Sequence, residues 1–135
     1  MFMNGAEIRS GIMRAVKSTD TGPEIIVRSM VHKLGFRFRL HRNDLPGKPD
    51  LVFPRLRKVI FVNGCFWHGH GCVRGNRVPV HNREYWVSKI ERNRQRDRKV
   101  ATQLRKLGWG RKVVWECSLK KPENVSLILV KFLTS

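Results

Sequence analysis

One segment constrains the fold more than any other. It reads Val59-Ile60-Phe61-Val62-Asn63-Gly64-Cys65-Phe66-Trp67-His68-Gly69-His70-Gly71-Cys72. The apolar, β-type run Val59 to Val62 ends at Asn63-Gly64, a turn signal. Two cysteines and two histidines then follow within eight residues, with Phe66-Trp67 between them. A fold built on this segment must set a strand end beside a loop of metal-type ligands. Two large aromatics on that loop suit a flat, stacking partner.

Charge names the partner. Lys and Arg number 28 against 10 Asp and Glu, a formal net charge of +18. Such a surface attracts polyanions, and nucleic acid is the leading candidate. A length of 135 residues with 41% hydrophobic content suits a single domain with an ordinary core. No run of about 18 apolar residues is present, so no membrane span is expected. Met1 to Arg14 lacks the apolar segment of a secretion signal. The 3 cysteines cannot all pair within one chain. With the histidines, they fit metal ligation in a reducing cytoplasm better than disulfides.

Residues 1–20 are mixed in character and read as an arm, mobile or briefly helical, ahead of a domain over 21–135. Thr21-Gly22-Pro23-Glu24 is a helix start, with Thr21 able to cap. Ile26, Met30, Val31 and Leu34 form an apolar stripe that Gly35 terminates. Phe36 to Leu40 alternates like a half-buried strand, and Leu45 to Pro49 is a turn. Asp50 to Phe53 and Lys58 to Asn63 read as two further strands. Asn82 to Leu107 is a long helix with an inner stripe of Trp86, Ile90, Val100, Ala101 and Leu104, closed by Gly108. A strand over Arg111 to Glu116 and a helix over Pro122 to Leu133 complete the order αβββαβα. That order predicts a mixed α/β sheet flanked by helices.

Structural zinc takes four Cys or His ligands in a tetrahedron. Cys65, His70 and Cys72 share a loop that Gly69 and Gly71 allow to wrap an ion. Cys117 is the remaining cysteine. It reaches the loop if its strand neighbours the one ending at Asn63. Spacing does not decide which of His68 and His70 is the ligand and which is spare. A spare neutral imidazole is suited to take a proton from an attacking water.

Pro49-Asp50 opens a strand directly after a turn, a place from which nuclease carboxylates hold Mg²⁺ against a phosphate. The usual acid-x-Lys of the next strand is missing, because that place reads Val62-Asn63-Gly64. On the long helix, Asn93 and Asp97 fall on the inward stripe, and an inward carboxylate needs a partner. Phe66 and Trp67 read as a wedge between bases or as core residues.

Taken together, Met13-Arg14-Ala15, Leu45-Pro46-Gly47-Lys48-Pro49-Asp50, Gly64-Cys65-Phe66-Trp67-His68, Trp86, Arg96-Asp97-Arg98 and Val114-Trp115-Glu116-Cys117 closely resemble the very short patch repair (Vsr) endonucleases. These motifs cover nearly the whole chain. The resemblance implies a fold similar to type II restriction endonucleases, a structural Zn²⁺ and a Mg²⁺ site. It implies nicking of double-stranded DNA beside the T of a T:G mismatch by a cytoplasmic monomer, with mismatch-repair proteins as further partners. By the same resemblance, Asp50 and the Val62 carbonyl hold Mg²⁺, His68 is the general base, Asp97 supports it, and Glu24 is a further active-site acid. Zinc falls to Cys65, His70, Cys72 and Cys117. Phe66, Trp67 and Trp86 intercalate beside the mismatch, and Met13 enters from the other groove.

Asn63 departs from the pattern, where the family carries His or Asp. Asn keeps hydrogen bonding but cannot ionise. Two other readings therefore stand beside the nicking enzyme. One is a zinc-braced mismatch-DNA-binding module with weak or no catalysis. The other is an ordinary acid-x-Lys restriction endonuclease, disfavoured by the missing lysine.

Overall fold

The computed structural model describes residues 22–40, 42–65, 70 and 80–135. The arm over 1–20, the Thr21 cap, Met13, Phe66, Trp67, His68 and Cys72 lie outside the described residues. The described elements run α1 (Gly22–Lys33), β1 (Leu51–Phe53), β2 (Lys58–Asn63), α2 (Arg83–Lys106), β3 (Gly110–Trp115), a 3₁₀ turn (Glu116–Lys120) and α3 (Pro122–Thr134).

The three strands form a mixed sheet in the order β1-β2-β3. β1 pairs antiparallel to β2, with Leu51 opposite Ile60. β2 runs parallel to β3, from Lys58 opposite Gly110 to Asn63 opposite Trp115. The parallel pair requires a crossover, and α2 supplies it. Strand alternation then divides the core. Leu51, Phe53, Ile60 and Val114 face α1 and α3, where Val27, Val31, Val125, Leu129 and Leu133 are buried. Val52 and Val59 face α2, meeting Val100, Leu104 and Leu45. Each of these side chains contributes roughly 1.5–3 kcal/mol by leaving water. Two apolar layers thus grip the sheet and fix where its ends point.

Helix ends are closed by simple means. Gly108, at φ +81°, follows the C-cap Leu107 of α2. Lys58 reaches from the start of β2 to the last turn of α3, donating to the carbonyls of Phe132 at 2.6 Å and Ser135 at 2.8 Å. That ammonium satisfies carbonyls that have no helical partner and sits at the negative end of the helix dipole.

Two expectations need correction. Phe36 to Leu40 is not a strand: Arg39 alone bridges to Val52, exchanging two backbone hydrogen bonds of 2.8 and 3.0 Å. The alternation was real, since Phe36, Phe38 and Leu40 all pack on the core. β1 is only three residues long, so it offers too short an edge for a ladder. The inward stripe of α1 is also rotated. Ile26 is 49% exposed, and the buried positions are Glu24, Val27 and Val31. No helix among the described residues is long and apolar enough to cross a membrane.

Candidate active site and metal centre

Glu24 explains the rotation of α1. It is the one buried charged side chain among the described residues, 3% exposed in the first turn of the helix. A buried carboxylate requires a partner. Arg28, one turn later, donates to it at 3.2 Å. Across a shallow pocket lies Asp50.

Backbone geometry aims Asp50. Its N–H donates to the Ile60 carbonyl at 3.1 Å. Its carboxylate accepts the Val62 N–H at 2.6 Å. The acid therefore faces the C-terminal end of β2. Burial pushes the Asp50 carboxyl up to about 7, and the neighbouring Glu24 pushes the same way, while the Val62 N–H opposes them. Two carboxyl groups close together in a partly dry site resist joint ionisation. A divalent cation between them would relieve that repulsion, and a hard oxygen donor set of this kind suits Mg²⁺. The other residues of the pocket wall are Arg28, Arg42, Asn43, Lys48 and Pro49.

The turn ahead of Asp50 is pinned. Leu45 is buried against α2, and the Lys48 N–H returns to its carbonyl at 3.4 Å. Gly47 sits at φ +77°, and a Cβ there would lie 2.6 Å from Val100 Cγ1 and 3.2 Å from Phe61 Cε1. Only glycine fits both the backbone and the gap.

A second cluster forms at the same end of the sheet. Because Asn63 lies opposite Trp115, the residues two places beyond each strand are neighbours. These are Cys65, fully buried, and Cys117. The Cys117 N–H points at Cys65 Sγ, 3.4 Å away. Cys117 Sγ lies 3.5 Å from His70 Nδ1. The His70 N–H donates to the Cys65 carbonyl at 3.0 Å, and its ring stacks on Trp115 at 4.2 Å. The three ligand atoms lie within 4.8 Å of one another. A tetrahedral zinc with Zn–S near 2.3 Å has ligand–ligand edges of roughly 3.8 Å, so the three need only contract slightly around an ion. Neither cysteine is in a disulfide.

On α2, Asn93 and Asp97 are half-buried beside buried Ile90 and Val100. Each has an interaction partner, as an inward polar group requires. Trp86 is half-buried and meets Tyr85 edge-on at 5.1 Å.

Comparison with known proteins now adds to this geometry. Residues 3–74 match the family model described as DNA mismatch endonuclease Vsr. The chain belongs to the Vsr family. It is 53% identical over 113 residues to the type II nicking enzyme V.XorIIP of Xanthomonas oryzae pv. oryzae, covering 84% of this chain and 82% of that protein. It is 42% identical over 118 residues to the DNA mismatch endonuclease Vsr of Escherichia coli, covering 87% and 75%. With the type II nicking enzyme V.HpaIIP of Haemophilus parainfluenzae the identity is 37% over 127 residues, covering 93% and 90%.

The chain is therefore a Vsr-type endonuclease, and the matched span includes Glu24, Asp50, Cys65 and His70. Among the Vsr pocket residues, the resemblance marked Glu24 and Asp50, whereas Arg28, Arg42 and Lys48 were given no role by the sequence. The Glu24–Arg28 pair had an i,i+4 signal, which charge spacing alone could have found. Arg42 and Lys48 had none, because only the turn brings them beside Asp50. Nor was there any signal for the stacking of Trp115 on His70.

Proposed function

We propose that this Vsr-family enzyme is a Mg²⁺-dependent endonuclease that nicks double-stranded DNA beside the T of a T:G mismatch, as a monomer with a fold similar to type II restriction endonucleases. The observation that supports it most is buried Glu24 beside half-buried Asp50, with the Asp50 carboxyl raised to about 7 and held against the Val62 N–H. Asp50 and the Val62 carbonyl would hold the cation, and Glu24 would shape the site as a further acid. Bound there, Mg²⁺ supplies charge neutralisation at the phosphate and a more acidic water.

The remaining roles belong to the chain's own groups. His68 takes the proton of the attacking water, and Asp97 orients and supports that imidazole. Cys65, His70, Cys72 and Cys117 brace the loop through Zn²⁺, closing the site with four protein ligands. Phe66, Trp67 and Trp86 wedge beside the mismatch, and Met13 enters from the opposite groove. A T:G pair is held less firmly than a matched pair, so unstacking it costs less, and a wedge converts that difference into selectivity. The charge of +18 adds affinity for any DNA, so it cannot supply this discrimination. The family function suggests mismatch-repair proteins as partners.

Incubating T:G and T:A duplexes with Mg²⁺, and with a chelator as control, tests the reading. Nicking of T:G alone supports it. Binding to T:G without nicking would favour the catalytically weak module that Asn63 suggests. Cleavage of both duplexes would favour an ordinary restriction-type nuclease.

A further inference from the structure

We propose that Lys48 contacts the scissile phosphate and takes the part of the lysine that acid-x-Lys nucleases carry on the following strand. The inference rests on the endonuclease reading and goes beyond it, because it assigns a substrate-contacting residue on a different element.

The place for such a lysine is known to be vacant. Beyond Phe61, β2 ends with Val62-Asn63 and Gly64 follows, without acid or lysine. A phosphodiester approaching Glu24 and Asp50 meets two carboxyl groups, and its non-bridging oxygens gain negative charge in the transition state. A cationic donor on the pocket wall would offset both. The wall offers Arg28, Arg42 and Lys48. Arg28 is already engaged by Glu24. Arg42 is engaged by Asp44 through two nitrogens. Lys48 makes no ion pair among the described residues, and it is exposed and lines the pocket, two residues before Asp50.

Its backbone is fixed. Lys48 adopts φ +49°, uncommon for a residue with a Cβ. The turn that imposes it is clamped by buried Leu45 and by Gly47 against Val100 and Phe61. A lysine held in this way keeps its Cα in place while three rotatable N–H donors follow the phosphate. During nicking, the water oxygen bonds to phosphorus, one bridging P–O bond breaks, and the leaving oxygen receives a proton. Lys48 stays protonated and donates a hydrogen bond to a non-bridging oxygen throughout.

The test is single-turnover nicking of a T:G duplex with Mg²⁺, alongside Kd for the same duplex at matched salt. Lys48→Asn removes the charge with a residue that tolerates the left-handed backbone. Its nicking rate is expected to fall by about 100-fold, with Kd weakened less than about 3-fold. Lys48→Arg should recover most of the rate. Lys99→Gln, a neutralised exposed cation on α2, should weaken Kd slightly and leave the bound rate unchanged. Lys48→Gly, which relieves the backbone, carries the same expectation as Lys48→Asn if the latter does not fold. A Lys48→Asn or Lys48→Gly enzyme that nicks at the wild-type rate once bound overturns the proposal. A wild-type chain that nicks no duplex overturns the endonuclease reading and this proposal with it. Equal nicking of T:G and T:A overturns the mismatch reading only, since the Lys48 effect is then measured on either duplex.

Discussion

Two clusters share the C-terminal end of β2, and they are built in opposite ways. The Cys65–His70–Cys117 group is closed: its backbone donors turn inward, Trp115 covers the imidazole, and Cys65 is fully buried. The Glu24–Asp50 group is open to a pocket and carries unresolved charge, with one carboxyl raised to about 7. The first draws its members from the parallel pair β2–β3, the second from the antiparallel pair β1–β2 and α1. A soft, enclosed ligand set stabilises folded structure, whereas paired carboxyl groups beside a pocket cost stability and gain reactivity. On the proposed reading, the end of β2 thus lies beside both an anchor and a reactive centre.

The comparison predicts that the two clusters fail differently. Asp50→Ala should abolish nicking, a loss of at least about 1,000-fold, while the folded protein still binds a T:G duplex. Gel-resolved nicking beside a binding isotherm checks this, and full activity in the variant would remove Asp50 from the reactive centre.

Cys117→Ser should instead act on the fold. Loss of one metal ligand is expected to release the zinc and to lower stability by several kcal/mol, on the order of what structural zinc sites contribute. Elemental analysis with thermal melting measures both, and an active protein without zinc would remove the anchor from the comparison.

The clamped turn leads directly into Asp50. Gly47→Ala places a Cβ 2.6 Å from Val100 at φ +77°, so a destabilisation of about 1–3 kcal/mol is expected. Nicking should fall as well, because the turn carries both Lys48 and Asp50. An unchanged melting temperature would show that Val100 yields freely.

The smallest effect concerns protons. The folded Asp50 carboxyl titrates at about 7, above the ordinary value near 3.9. Below about pH 4 both folded and unfolded states hold this proton. Between there and 7 the folded state alone keeps it, so metal-free stability should decline as pH rises through that window and level off above it. Melting curves in chelator should show this decline in the wild type relative to Asp50→Asn, and added Mg²⁺ should raise Tm more at high pH than at low. Parallel curves for the two proteins would break the assignment of that charge to Asp50.

Legibility in the sequence followed the range of each interaction. β2, α2, β3 and α3 emerged within a residue or two of their observed limits, because apolar periodicity and Gly or Pro punctuation are local signals. The cysteines and histidines of the metal cluster were visible by residue type. The partnership of Cys65 with Cys117 needed only the assumption that their strands are adjacent. By contrast, apolar periodicity turns Ile26 inward, and only the family resemblance, not the local pattern, marks Glu24 as an active-site acid. No local pattern announces that a carboxylate will be buried, since that depends on Arg28 and on an acid 26 positions away.

By itself, then, the sequence determined the elements, the basic character and the metal-type ligands, and its motifs pointed to the Vsr family. These follow from side-chain type and from periods of two or 3.6 residues, which the chain carries wherever it folds. Tertiary structure alone decided which face of α1 turns inward, that Phe36 to Leu40 forms a single bridge, and that Lys48 shares a pocket with Glu24 and Asp50. Those outcomes depend on which surfaces meet after the chain closes. Packing, desolvation and the pairing of charges are properties of the meeting, not of either segment alone.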